Sequence, residues 1–269
     1  MTKIFCLLLL ISCLQTFASF DNSTIGGSDA GLGFANVTCS DLWSLQNNQA
    51  GAASIQHFSI GTFYENRFML KELSYKAAAI ACPTKSGVFG LTTSYFGYSQ
   101  YNETSLCLAY AKKLGKNISA GICFDHLSVH IAEPYGNKSV ITFEVGLLAK
   151  ITEKLTAGIH VFNPASARLT DYADERIPTI FRFGFSYSFS KIVILNTEYE
   201  KSLNQNPSFK AGLEYHPVKE MFMRADIMTN PVAFKLGAGV KYKKIKLDFA
   251  TSVHQILGYS PAISMIYEF

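Results

Sequence analysis

The sequence predicts an all-β fold: a transmembrane, antiparallel up-and-down barrel of about 14 strands with an N-terminal hatch or plug segment. Three observations carry this expectation. Apolar and polar residues alternate with period two in segments spread from residue 55 to the C-terminus, which is the pattern of strands with two unlike faces. Many of these segments have the ~9–11 residues that a tilted strand needs to cross a bilayer. Charged residues are only 16% and aromatics 13% of the chain, yet no stretch beyond the N-terminus approaches the ~18 consecutive apolar residues of a helical span. The apolar content is high but diluted, which excludes a helical membrane protein. A net charge of +4, evenly scattered, gives no basic footprint, so no nucleic-acid partner is expected.

The chain divides into three stretches: 1–18, 19–54 and 55–269. Residues 1–18 read as a signal peptide, with Lys3 before the apolar run Ile4 to Leu10 and Thr16-Phe17-Ala18 as a cleavage site. Leu10-Ile11-Ser12-Cys13 also has the look of a lipobox. Both readings mean export, and neither leaves a helical anchor.

The barrel stretch reads as segments 55–65, 70–82, 87–98, 103–113, 117–132, 138–151, 153–162, 178–189, 191–201, 207–217, 220–228, 232–242, 244–254 and 260–269. Phe181, Phe183, Phe185, Tyr187 and Phe189 share one face, with Arg182, Gly184, Ser186 and Ser188 on the other. Phe234, Leu236, Ala238, Val240 and Tyr242 likewise oppose Lys235, Gly237, Gly239 and Lys241. Even-numbered connections are short, around Thr84, Gly115, Glu153, Ser190, Val218 and Lys243. Odd-numbered ones are expected to be longer and richer in Asn, Pro and Gly, culminating in 163–178. A soluble sandwich or lipocalin-like barrel also alternates. Five successive aromatics on one face suit lipid better than a crowded interior, and Lys, Glu, Arg, Asp and Gly on the other suit a wet or plugged lumen. The C-terminal row Ile263, Met265, Tyr267 and Phe269 resembles the terminal signal by which outer-membrane barrels are recognised for assembly. The expected location is therefore the bacterial outer membrane, with lipid and the barrel assembly machinery as partners.

Residues 20–53 do not alternate and are rich in Gly, Ser, Asn and Ala. They read as a mobile exported end or as a hatch folded into the lumen, for which Phe34, Leu42 and Trp43 supply apolar surface; the hatch is favoured. The order Gly26-Gly27-Ser28-Asp29-Ala30-Gly31-Leu32-Gly33-Phe34-Ala35, then Asp41-Leu42-Trp43-Ser44 and Asn48-Gln49-Ala50-Gly51, resembles the start of the FadL-type outer-membrane superfamily. Its PorV/PorQ-like branch from Bacteroidota is the nearest in appearance. The resemblance implies a fourteen-stranded barrel with a hatch, and a hatch motif at Gly31, Gly33, Trp43, Asn48, Ala50 and Gly51. Gln49 departs from the Pro usual in the family, and with it goes the fixed backbone that Pro supplies.

Four cysteines lie outside the signal peptide. If 103–113 and 117–132 form a hairpin about Gly115, positions summing to 230 face each other, which places Cys107 opposite Cys123 inside the lumen. They read as a cross-strand disulfide or as two small fillers. Without a CxxC spacing no metal site is expected. Glu144, Arg182, Glu198, Lys210, Glu214, Arg224, Asp226, Lys235 and Asp248 fall on the lumen face, together with His57, Lys76, His160, Glu200, Lys241 and Lys246. They would line a polar permeation path or, as preferred here, form mixed-sign ladders that hold lumen and hatch together. GxSxG and HExxH elements are absent and no Ser/His/Asp set stands out, so neither catalysis nor a cofactor is expected. The resemblance implies two functions: a docking or shuttle component of type IX secretion with secretion-system partners, towards which the charged lumen leans, or an importer of hydrophobic small molecules.

Overall fold

Period-two alternation gives each segment one face for hydrocarbon and one for the interior, and a sheet with such faces must close on itself to leave no unpaired edge in lipid. The computed structural model describes residues 35–134, 136–169, 176–203, 205–254 and 256–269. Gly31 and Gly33, like the signal segment, lie outside them. Fourteen strands form a closed barrel: β1 (Ser59–Asn66), β2 (Ser74–Pro83), β3 (Val88–Tyr98), β4 (Tyr101–Lys113), β5 (Ile118–Ile131), β6 (Gly136–Lys150), β7 (Leu155–Phe162), β8 (Ile180–Ser188), β9 (Val193–Ser202), β10 (Ser208–Val218), β11 (Met221–Thr229), β12 (Val232–Tyr242), β13 (Ile245–His254) and β14 (Gly258–Glu268). Every sequential pair is antiparallel, and β1 closes on β14 from Ser59 opposite Glu268 to Glu65 opposite Ala262. Among the described residues one bulge interrupts the ladders, between Tyr215 and Val218 of β10.

Side-chain directions follow the pattern. Phe181, Phe185, Tyr187 and Phe189 of the β8 row are exposed outward, as are Phe234, Leu236 and Val240, and Ile263, Met265 and Phe269 at the C-terminus. Arg182, Lys235 and Asp248 are buried inside. Lys76 corrects the sequence reading: it faces outward, where it stands 5.6 Å over the Tyr95 ring. The run Ala77-Ala78-Ala79 beside it carries no contrast between faces, so alternation could not set its phase.

The two rims differ. β1 begins and β14 ends at one, the terminus rim, where the connections are tight. At the far rim the connections 67–73 and 163–179 are long, but 99–100 and 230–231 are only two residues each; the expected contrast between rims rests on a few loops. Wall height also varies. β4, β5 and β6 have 13, 14 and 15 residues, whereas β1 has 8. Beyond Glu65 and Tyr75 the wall leaves a notch between β14 and β3. Connection 67–73 fills it with two 3₁₀ turns, Arg67–Met69 and Lys71–Leu73. Phe68 and Met69 take left-handed backbone there, φ 55° and 61°, a cost of about 1–3 kcal/mol each. The Phe68 N–H donates to Ser260 Oγ at 2.9 Å, tying the turn to β14.

Leu236 lies mid-strand on the outer face. Its replacement by Arg is expected to lower the unfolding free energy in lipid vesicles by about 2–4 kcal/mol. Urea titration of the folded, vesicle-embedded barrel measures this, and an unchanged midpoint would place that face in water.

Candidate functional site: a plugged lumen with two unlike walls

The described part of the N-terminal segment occupies the lumen near the terminus rim. It consists of one helical turn, α1 (Ser44–Asn47), and a 3₁₀ stretch, Gln49–Ser54. Asn48 between them caps the second, its side-chain oxygen accepting from Ala50 N–H at 3.2 Å. Trp43, Leu45, Ala50 and Ala52 are fully buried. Room for them comes from small residues on the inner wall. A Cβ added at Gly61 would meet Leu42, at Gly90 Leu45, at Gly121 Gln49, at Gly146 Asn48, and at Gly158 and Gly184 Val37. Ala79, Ala81, Ala109 and Ala111 continue this girdle on β2 and β4. The wall is carved to the hatch, one strand after another.

Polar contacts fix its orientation. Glu198 Oε2 accepts from the N–H groups of Asn36 and Val37 at 2.7 and 2.9 Å. Asn48 Nδ2 donates to Leu147 O at 3.1 Å, and Ser119 Oγ to Ala50 O at 2.9 Å. Trp43 Nε1 donates to Ser264 Oγ at 3.0 Å, and Lys246 pairs with Asp41 at 2.9 Å. Gln49, where the family resemblance expects Pro, has a task that Pro could not perform: its Nε2 donates to Glu144 Oε2 at 2.7 Å.

The charged residues expected in the lumen are brought together on one side, β6 to β13. Arg182 binds Glu200 at 2.8 Å; Lys210 bridges Glu198 at 3.1 Å and Glu200 at 2.8 Å. Arg224 joins Glu214 and Asp248, each at 2.7 Å, and His160 Nε2 meets Glu144 at 2.8 Å. Asp226 lies in register with Lys235. Mixed signs in contact make this wall cohesive, since an unpaired charge so deeply buried would be costly.

The opposite wall is apolar. Phe63, Tyr75, Ala77, Ala79, Ala109, Ala262 and Ile266 pack around Trp43, with Phe96 against them. A column of aromatic rings descends from the notch: Tyr75 lies 6.1 Å from Phe63, and Phe63 6.0 Å from Trp43. At its top the Arg67 guanidinium sits 5.7 Å from the Tyr75 ring and 5.1 Å from that of Phe96, held by Glu65 at 3.1 Å. Phe63, Tyr75 and the glycine girdle were not singled out in the sequence. Their signal was there, as Gly recurring at inward positions of successive strands and an inward aromatic on β1 and on β2.

Cys107 and Cys123 are joined in a buried disulfide, Cα atoms 5.9 Å apart. The expected register is corrected: Cys107 pairs with Asp125 and Ala109 with Cys123, so opposed positions sum to 232. A slip of two keeps both sulfurs on the inner face and makes the pair diagonal. Cys82 is a free thiol on the outer face. At the C-terminus, Phe269 meets the Phe58 ring edge-on at 5.2 Å and its N–H donates to Phe58 O at 2.9 Å, sealing the β1/β14 seam.

No family model and no curated protein sequence matches the chain. Solved structures match it over nearly its whole length. The CymD monoaromatic hydrocarbon channel superposes with TM-score 0.71 at 13% identity, over 93% of this chain and 99% of that one. The Pseudomonas putida toluene transporter TodX gives 0.68 at 9%, over 94% and 100%. A Pseudomonas aeruginosa FadL homologue gives 0.64 at 13%, over 92% and 99%. The chain has the FadL-type barrel fold. In such a barrel the charged and aromatic walls divide one lumen above a seated hatch.

Glu198→Gln removes the charge that holds two hatch amides and Lys210. It is expected to destabilise this seat by about 3–5 kcal/mol, with a red shift of Trp43 emission and faster proteolysis within residues 35–55 while the barrel stays folded. An unmoved emission maximum would mean that girdle packing alone holds the hatch. Non-reducing peptide mapping should recover Cys107 linked to Cys123 and Cys82 alkylated.

Proposed function

We propose that the chain is a non-enzymatic outer-membrane barrel that carries small hydrophobic molecules across the bacterial outer membrane. The observation that carries this reading is the aromatic column that runs from Tyr75, beneath the Arg67–Glu65 pair at the notch, through Phe63 to Trp43 on the hatch. Below that pair a solute of low polarity can move down the column without desolvating a charge, and the opposite, self-paired wall keeps the lumen rigid and selective against free ions. The FadL-type fold, shared with structures described as a monoaromatic hydrocarbon channel and a toluene transporter, supports the same reading. The exposed outer face and the terminal row ending in Phe269 support insertion by the barrel assembly machinery into an outer membrane.

On this reading the terminus rim faces the periplasm, residues 19–54 act as the hatch, and connection 67–73 covers the side from which the solute arrives. The secretion-linked PorV/PorQ reading rests on the resemblance of the N-terminal motifs and the charged lumen. Those charges are engaged with each other and with the hatch, which leaves that reading less to stand on.

Cells expressing the chain are expected to take up radiolabelled toluene faster than cells with an empty vector. The Phe63→Ser, Tyr75→Ser double variant should lower that rate severalfold at equal folded barrel in the membrane. Uptake equal to the vector control, with exported proteins co-purifying, would favour the secretion reading.

A further inference from the structure

At the terminus rim the hatch does not meet the wall everywhere. A cleft of about 410 Å³ opens between the hatch segments around Leu42 and Ile55 and the ends of β10 to β14, within the ~300–1,000 Å³ of small-molecule sites. Its apolar surface comes from Leu42, Ile55, Phe222 and Ile266. Its charged groups mostly cancel in pairs. Lys246 holds Asp41 at 2.9 Å, Lys241 holds Glu268 at 2.9 Å, and His216 bonds Glu214. Two groups remain. Lys219, in the β10–β11 turn, and His57, just before β1, line the cleft with no side-chain partner among the described residues.

We propose that this cleft binds a small amphiphilic carboxylate, with its apolar body on Leu42, Ile55, Phe222 and Ile266 and its charge at Lys219, His57 adding a second donor. One uncompensated ammonium fits one negative charge. The carboxylates of Asp41 and Glu268 at the edges disfavour a dianion, and the apolar surface disfavours a wholly polar anion. The site goes beyond the transport reading: it lies at the terminus rim, apart from the aromatic column, and its binding does not depend on what that column carries.

The test is equilibrium dialysis of radiolabelled benzoate, benzamide and acetate with the purified full-length protein at neutral pH. Benzamide keeps the ring without the charge, and acetate the charge without the ring. Benzoate is expected to bind about fivefold more tightly than either, the scale of a half-exposed ion pair. Lys219→Gln should bring benzoate down to the level of benzamide and leave benzamide unchanged. Lys191→Gln, in the exposed β8–β9 turn away from the cleft, should alter neither. Benzoate binding no tighter than benzamide, or unaffected by Lys219→Gln, overturns the proposal. If toluene uptake fails while benzoate binds as expected, the transport reading falls and the site stands; the reverse pattern removes the site alone.

Discussion

A backbone amide facing hydrocarbon has no water to fall back on, so each must find its partner within the sheet. In this chain that demand is met by the seam between β1 and β14, which turns an open sheet with two raw edges into a ring. The rest of the structure follows. Once the ring is closed, outward residues answer to lipid and inward ones to whatever fills the bore. Fourteen strands enclose more room than their own inward side chains occupy, so the bore needs a filling, and the chain supplies it from the segment that precedes β1.

The filling and the wall are fitted to each other by subtraction as well as by contact. Glycines and alanines on strands from β1 to β8 clear a berth for Val37, Leu42, Leu45, Asn48 and Gln49, while Glu198, Glu144 and Ser264 reach in to grip what sits there. The grip is polar and lies mostly on one side, where the ionic ladder runs. The aromatic side holds the hatch chiefly by fit, with Trp43 and Leu45 fully buried and one hydrogen bond from Trp43 to Ser264.

Much of this was legible in the residues. Alternation located all fourteen strands, and 232–242 coincides with β12 end to end, because Phe234, Leu236 and Val240 contrast sharply with Lys235, Gly237 and Gly239. Legibility failed where contrast failed. The alanine run of β2 hid the direction of Lys76, and the hairpin 114–117 could not reveal its own register, which shifted the cysteine pair by two without changing its face. The hatch was expected from composition and from Trp43, but its contacts were not. A glycine in a strand looks like weak propensity until the partner that needs its missing side chain is seen. A family resemblance carried by short N-terminal motifs reached the right barrel and pointed to a branch of it that the fold likenesses do not support.

The uneven height of the wall has one more consequence. Where β4 to β6 rise highest, their outward residues are polar, among them Asn102, His126, Ser128 and Asn137, whereas the low side carries Met69, Leu70, Ile256 and Leu257 in the open. An apolar solute dissolves far better in lipid than in the water above it. If the barrel stands as proposed, its lower lip dips towards that enriched layer, and the bore would draw on a membrane reservoir instead of on sparse encounters in the bulk.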